Sequence, residues 1–133
     1  MTIGFYAQGI DIVDVRRIKN IVKKYNSKFL KKILSDNEIK LFNENNLDSE
    51  KVILKIAGRF AAKEAASKAL GTGFKNGIKF SDFEIFNDEK GRPFINFCGK
   101  ARETLDKNLK IKPFLTISNE RIYAVALVTF ISF

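Results

Sequence analysis

The sequence predicts an α+β fold: one small domain, residues 1–133, with antiparallel strands packed on a long helix. Three observations predict it. Hairpin signals at 83–97 and 115–131 put strands next to their neighbours in the chain. One long helical pattern runs from about Ser49 to Leu70 and stops at Gly71, a favoured C-terminal residue. Helices and strands follow one another in mixed order, which argues against a doubly wound α/β sheet. A chain of 133 residues, 45% of them apolar, is long enough to bury a core.

Each element has its own cause. Residues 8–13 read as a short strand, and Asp14 can cap a helix through about Tyr25. Its apolar positions Ile18, Ile21, Val22 and Tyr25 keep the i, i+3, i+4, i+7 rule. Ser27 can open the short helix FLKKIL, and SDNE at 35–38 is a capping-box pattern before IKLF. After the long helix, FEIF (83–86) and PFINF (93–97) read as strands joined by NDEKGR, with Gly91 as the turn residue. Residues 99–110 suit an amphipathic helix. LTIS (115–118) and IYAVALVTFI (122–131) form the second hairpin across NER. That last strand is apolar on both faces and needs cover on both, which suggests an oligomer interface.

Absences narrow the chemistry. The chain has no histidine and one cysteine, Cys98. Histidine-dependent nucleophilic triads, histidine-ligated zinc and haem, and an all-thiolate metal site within one chain are excluded. Carboxylates, lysines, hydroxyls, backbone groups or a metal held by oxygen remain. A single cysteine and a start, MTIGFYAQG, without a basic leader suggest a cytoplasmic protein with no secretory signal. No apolar run reaches the length of a membrane span, so no membrane is expected. The net charge of +9 favours an anionic partner.

Two acids stand where charge is expensive. Asp11 interrupts the strand GIDIVDV, between Ile10 and Ile12. Glu64 falls on a helical stripe with Ala57, Phe60, Ala61, Lys68 and Gly71. Three readings stay open on spacing alone. Asp11 could receive backbone N–H or Arg bonds while Glu64 pairs with Lys68 at i, i+4. The two could be a general acid and base. They could also hold a hard cation, since Mg²⁺ commonly takes one or two carboxylates, several waters and a substrate phosphate. The loop GTGFKNG (71–77) permits close backbone approach but is not a Walker loop. Eight cations between Arg16 and Lys32 occur with no acid between them. They suit a solvated surface, a phosphate backbone, or a face for an acidic helical protein. Aromatic residues are not interleaved with them, so nucleic acid is the weaker partner.

Taken together, GIDIVDVRRI (9–18), LSDNE (34–38), RFAAKEAASKALGTG (59–73), NDEKGRP (87–93) and LTISNERIYAVALV (115–128) resemble the short, trimeric class of 4′-phosphopantetheinyl transferases, the holo-[acyl-carrier-protein] synthases. The blocks keep the family's order over nearly the whole chain. The resemblance implies transfer of the 4′-phosphopantetheine arm of coenzyme A to a serine of apo-acyl carrier protein, with adenosine 3′,5′-bisphosphate released. It implies a homotrimer with sites between subunits, and a role in fatty acid biosynthesis. It implies that Asp11 and Glu64 bind Mg²⁺ and that Lys63 and Lys68 stabilise phosphate charge; the catalytic set is Asp11, Glu64 and Lys68. Arg59, Ser67 and Gly73 are expected to line the coenzyme A site, with Pro93 near the adenine and Asn119 able to bond a phosphate or ribose oxygen. Arg16, Arg17, Lys24 and Lys28 are expected to meet the acidic helix of the carrier protein. The serine proton is expected to pass to a metal-associated water rather than to Glu64, because a carboxylate engaged as a ligand is a poor base. Two departures from the family pattern, Ala7 for a common glycine and Asn119 where some members have histidine, leave both acids untouched. The alternative from another class is a basic nucleic-acid-binding module without catalysis, its acids serving only as ion-pair partners.

Overall fold

In the computed structural model, residues 3–42, 47, 49–106 and 110–133 are described. The chain runs β1 (Gly4–Asp14), α1 (Val15–Tyr25), α2 (Ser27–Ile33), α3 (Asp36–Ile39), α4 (Glu50–Leu70), β2 (Phe83–Asn87), β3 (Pro93–Phe97), α5 (Gly99–Leu105), β4 (Ile111–Asn119) and β5 (Tyr123–Ser132). A short 3₁₀ turn, Phe80–Asp82, precedes β2. β1, β5 and β4 form one antiparallel sheet in that order, and β2 and β3 form a separate hairpin. This is the expected α+β arrangement.

The caps act where the sequence puts them. Asp14 accepts from the Arg16 amide and starts α1. Ser35 and Glu38 complete the capping box of α3. Ser49 accepts from the Val52 amide to open α4, and Gly71, at φ 80°, closes it in the left-handed region that favours glycine. β1 is longer than the expected 8–13 because β5 pairs with it along nearly its whole length, with a bulge between Phe5 and Ala7. β4 likewise extends to Ile111, paired with β5. α5 ends at Leu105 rather than near 110, and residues 107–109 of that expectation lie outside the described ones.

α4 lies across the inner face of the sheet, against β1 and β5. Ala57, Ala61, Ala62, Ala65 and Ala66 are fully buried there, and such small side chains let helix and sheet backbones approach. On β5, Ala124, Ala126, Val128 and Phe130 face this core, while Val125, Leu127, Thr129 and Ile131 face outward and are only half-buried. Phe97 meets Phe83 on the hairpin and Phe130 on the sheet edge-on, joining the two β layers.

Candidate active site

Alternation along β1 decides where Asp11 points. Gly9 and Val13, on the same face, are buried toward α4, whereas Ile10 and Ile12 are about 60% exposed on the other. Asp11 is therefore delivered to the helix. Lys68 Nζ donates to Asp11 Oδ1 and to the Ile10 carbonyl, each at 3.0 Å. One turn earlier on α4, Glu64 forms no ion pair among the described residues. Its carboxyl is pushed above the usual range by partial burial and then by the negative charge of Asp11; Lys68 and Arg17 pull the other way. The two acids thus feel each other's charge although they are 53 positions apart in the chain. The expected i, i+4 pair between Glu64 and Lys68 gives way to Lys68–Asp11, because β1 brings a competing carboxylate to the same ammonium. A depression lined by Ile10, Asp11, Ile12, Lys68 and Val125 opens at this edge, about 440 Å³ in volume.

Lys63 corrects an expectation. It is fully buried and is not available to an incoming phosphate. Its ammonium donates to Glu38 Oε1 at 2.5 Å, to the Ile33 carbonyl at 2.6 Å and to the Phe80 carbonyl at 3.1 Å. Burial pulls its pKa down, and Glu38 opposes that. Ser67 is also buried, its hydroxyl donating to the Glu64 carbonyl, so it is spent inside the helix and cannot line an open nucleotide site as it stands.

Arg59 lies only 7% exposed, with its guanidinium over the Phe42 ring and one nitrogen donating to Asn87 Oδ1 at 3.2 Å. Burial lowers its pKa, opposed by Glu38. Its buried Nε has no hydrogen-bond partner, leaving donor capacity unused beside the β2–β3 hairpin. Pro93 pairs with Asn87 at the turn end of that hairpin, so it is the strand partner of the residue that Arg59 bonds. Arg59 and Glu64 are about 140° apart around α4, on different sides of the helix. Gly73, at φ 59°, donates its amide to the Ser67 carbonyl in the loop after α4, and an added Cβ there would meet nothing within 4 Å. Asn119 ends β4, separated from β1 by the whole of β5. One chain thus joins Lys68 to Asp11 with Glu64 one helical turn away, and ties Arg59 to Asn87, the strand partner of Pro93, while Asn119 lies apart.

The basic face is built on α1 and α2. Arg16 is tied back to Asp14, a contact that holds the Asp14 carboxyl at about 2. Arg17 lies over the Phe60 ring, and Lys24 over that of Tyr25. Lys28 edges an apolar groove of about 490 Å³ lined by Ile21, Tyr25, Phe29 and Phe60. The sequence reading missed Glu38 as a core residue; its capping role at a helix start already explained it.

Asp11 from β1 and Glu64 and Lys68 from α4 thus share one side of the strand–helix seam, while the buried Arg59 lies on another side of the helix. Residues 7–128 match the 4′-phosphopantetheinyl transferase superfamily, and the chain belongs to it. Among its relatives, the holo-[acyl-carrier-protein] synthase of Clostridium tetani is 46% identical over 118 residues, 89% of each chain. The Bacillus anthracis holo-(acyl-carrier-protein) synthase, solved in complex with CoA (3′,5′-ADP), superposes with a TM-score of 0.78 at 33% identity, covering 97% of this chain and 98% of that one. The Plasmodium yoelii acyl carrier protein synthase with ADP bound gives 0.85 at 33% identity, covering 98% of each.

Proposed function

We propose that this chain, as one transferase domain over residues 1–133, is a Mg²⁺-dependent holo-[acyl-carrier-protein] synthase. It moves 4′-phosphopantetheine from coenzyme A to a carrier-protein serine, in the cytoplasm, for fatty acid biosynthesis. The observation that carries the reading is the Lys68–Asp11 contact across the β1–α4 seam, with Glu64 one turn away on the same helix.

Among the described residues no three carboxylate, thiol or imidazole groups cluster. Two carboxylates suit Mg²⁺, which completes its shell with waters and substrate phosphate, better than an all-protein cage. Asp11 and Glu64 would hold the ion, whose chemistry is neutralisation of the pyrophosphate and orientation of the phosphorus under attack. In the reaction the serine oxygen bonds to that phosphorus, and the bond to adenosine 3′,5′-bisphosphate breaks. Lys68, half-exposed and held by two solvent-exposed hydrogen bonds, can swing from Asp11 to a phosphate oxygen and stabilise charge there. The unused Nε of Arg59 supports a role for Arg59 at coenzyme A, together with Pro93 and Gly73.

The carrier protein would dock on Arg17, Lys24 and Lys28, with Arg16 at the margin. The adjoining groove of Ile21, Tyr25, Phe29 and Phe60 offers an apolar anchor for a helix with acidic flanks. Ile10, Ile12 and Phe114 are exposed on the outer face of the sheet, beside Val125 and Leu127. That apolar face supports a homotrimer in which a neighbouring subunit completes the site.

The test is mass spectrometry of apo-acyl carrier protein incubated with coenzyme A, Mg²⁺ and the protein. A phosphopantetheine increment, lost with EDTA and with Asp11→Asn, supports the proposal. No increment with several carrier proteins and folded protein overturns it.

A further inference from the structure

The seam between β1 and α4 is unusually close at one point. A Cβ placed on Gly9 would lie 2.0 Å from the Ala65 carbonyl oxygen and 2.8 Å from the Ala69 amide nitrogen. Both are backbone atoms of α4, which cannot turn aside as a side chain can. Gly9 is not among the glycines of positive φ, so space rather than conformation excludes a side chain there. Gly58, on the same helix, differs: its added Cβ would meet only the Ile117 side chain, at 3.2 and 3.9 Å.

The crowding lies beside the paired acids. Gly9 is two residues before Asp11 on the same strand face, and Ala65 directly follows Glu64. Any residue larger than glycine must drive strand and helix apart by at least about 1 Å to bring 2.0 Å up to 3.0 Å. Metal–ligand distances are held within about 0.2 Å, so such a displacement is several times what a shared ion tolerates.

We propose that Gly9 is a positioning residue for divalent-cation binding: its missing side chain sets the β1–α4 separation at which Asp11 and Glu64 can grip one ion. This rests on the metal reading given above. Gly9 touches neither substrate nor ion and acts only through the spacing of the two carboxylates.

The experiment is Mn²⁺ binding to the full-length protein, followed by the electron paramagnetic resonance of free Mn²⁺, with circular dichroism as the check on folding. Wild-type binding that disappears in Asp11→Asn establishes the site; wild-type protein that binds no Mn²⁺ overturns the metal reading itself. Given that site, folded Gly9→Ala should bind at least 10-fold more weakly, within the ~10–100-fold range for residues that orient metal ligands. Gly58→Ala should bind as wild type does. Asp11→Glu adds about 1.5 Å of reach, so Gly9→Ala/Asp11→Glu should recover at least threefold of the loss. A general loss of stability would not be mended by a longer carboxylate. Folded Gly9→Ala with affinity within twofold of wild type overturns the proposal, as does a loss that Asp11→Glu leaves unmended. Should Gly9→Ala not fold, Ala69→Val widens the same seam from the helix side, and the same two limits decide.

Discussion

Replacing Lys63 by methionine tests whether its amine is structural or binds phosphate. Both Lys63 and Glu38 side chains are wholly removed from solvent. Lys63→Met leaves Glu38 buried with only the Ser35 and Ile85 amides as donors, and it strands the carbonyls of Ile33 and Phe80. Breaking a buried pair from one side costs about 3–5 kcal/mol, a large part of the ~5–15 kcal/mol that holds a domain folded. Urea unfolding followed by circular dichroism, at fixed protein concentration, measures the loss. Glu38→Gln/Lys63→Met should cost less than the sum of the single changes, because neither charge is left alone. At a temperature where Lys63→Met stays folded, its KM for coenzyme A should match wild type. A stability loss below about 1 kcal/mol together with a raised coenzyme A KM would refute this reasoning and restore Lys63 as a phosphate contact.

Other outcomes follow from the same geometry. Lys68→Ala should lower kcat about 100-fold, the scale for removing one charge-stabilising donor, with Mn²⁺ binding retained. Glu64 is raised in the folded state, so it keeps a proton where the unfolded chain has released one, and stability falls as pH rises through that window. Metal-free Glu64→Gln should therefore melt above wild type at neutral pH, with the gap closing as pH falls into the carboxylate range. Lys28→Glu should raise the KM for acyl carrier protein, more strongly at low salt than at high salt, and leave the coenzyme A KM unchanged. Ser35→Ala removes the acceptor of the α3 capping box and should cost about 1 kcal/mol in urea unfolding.

Local rules made the caps and hairpins legible. Asp14, Ser35, Ser49 and Gly71 each act within a few residues of themselves, so their roles can be read from neighbours in the chain. The paired acids were legible because Asp11 breaks an apolar strand and Glu64 breaks a packing stripe. Their partners were not. Spacing favours Glu64–Lys68, yet Lys68 takes the carboxylate that β1 supplies from 57 residues away. Spacing likewise cannot distinguish Lys63 from Glu64 as the buried charge, because the deciding partner, Glu38, arrives from α3. The strand ends were short in the sequence reading because pairing with β5, not local propensity, extends β1 and β4.

The most direct measurement is anomalous scattering from crystals of the protein grown with Mn²⁺ and coenzyme A. The account predicts one peak within ligand distance of both the Asp11 and Glu64 carboxylates, with Lys68 moved from Asp11 to a phosphate oxygen. Coenzyme A bound with no such peak, and Lys68 still on Asp11, would contradict it.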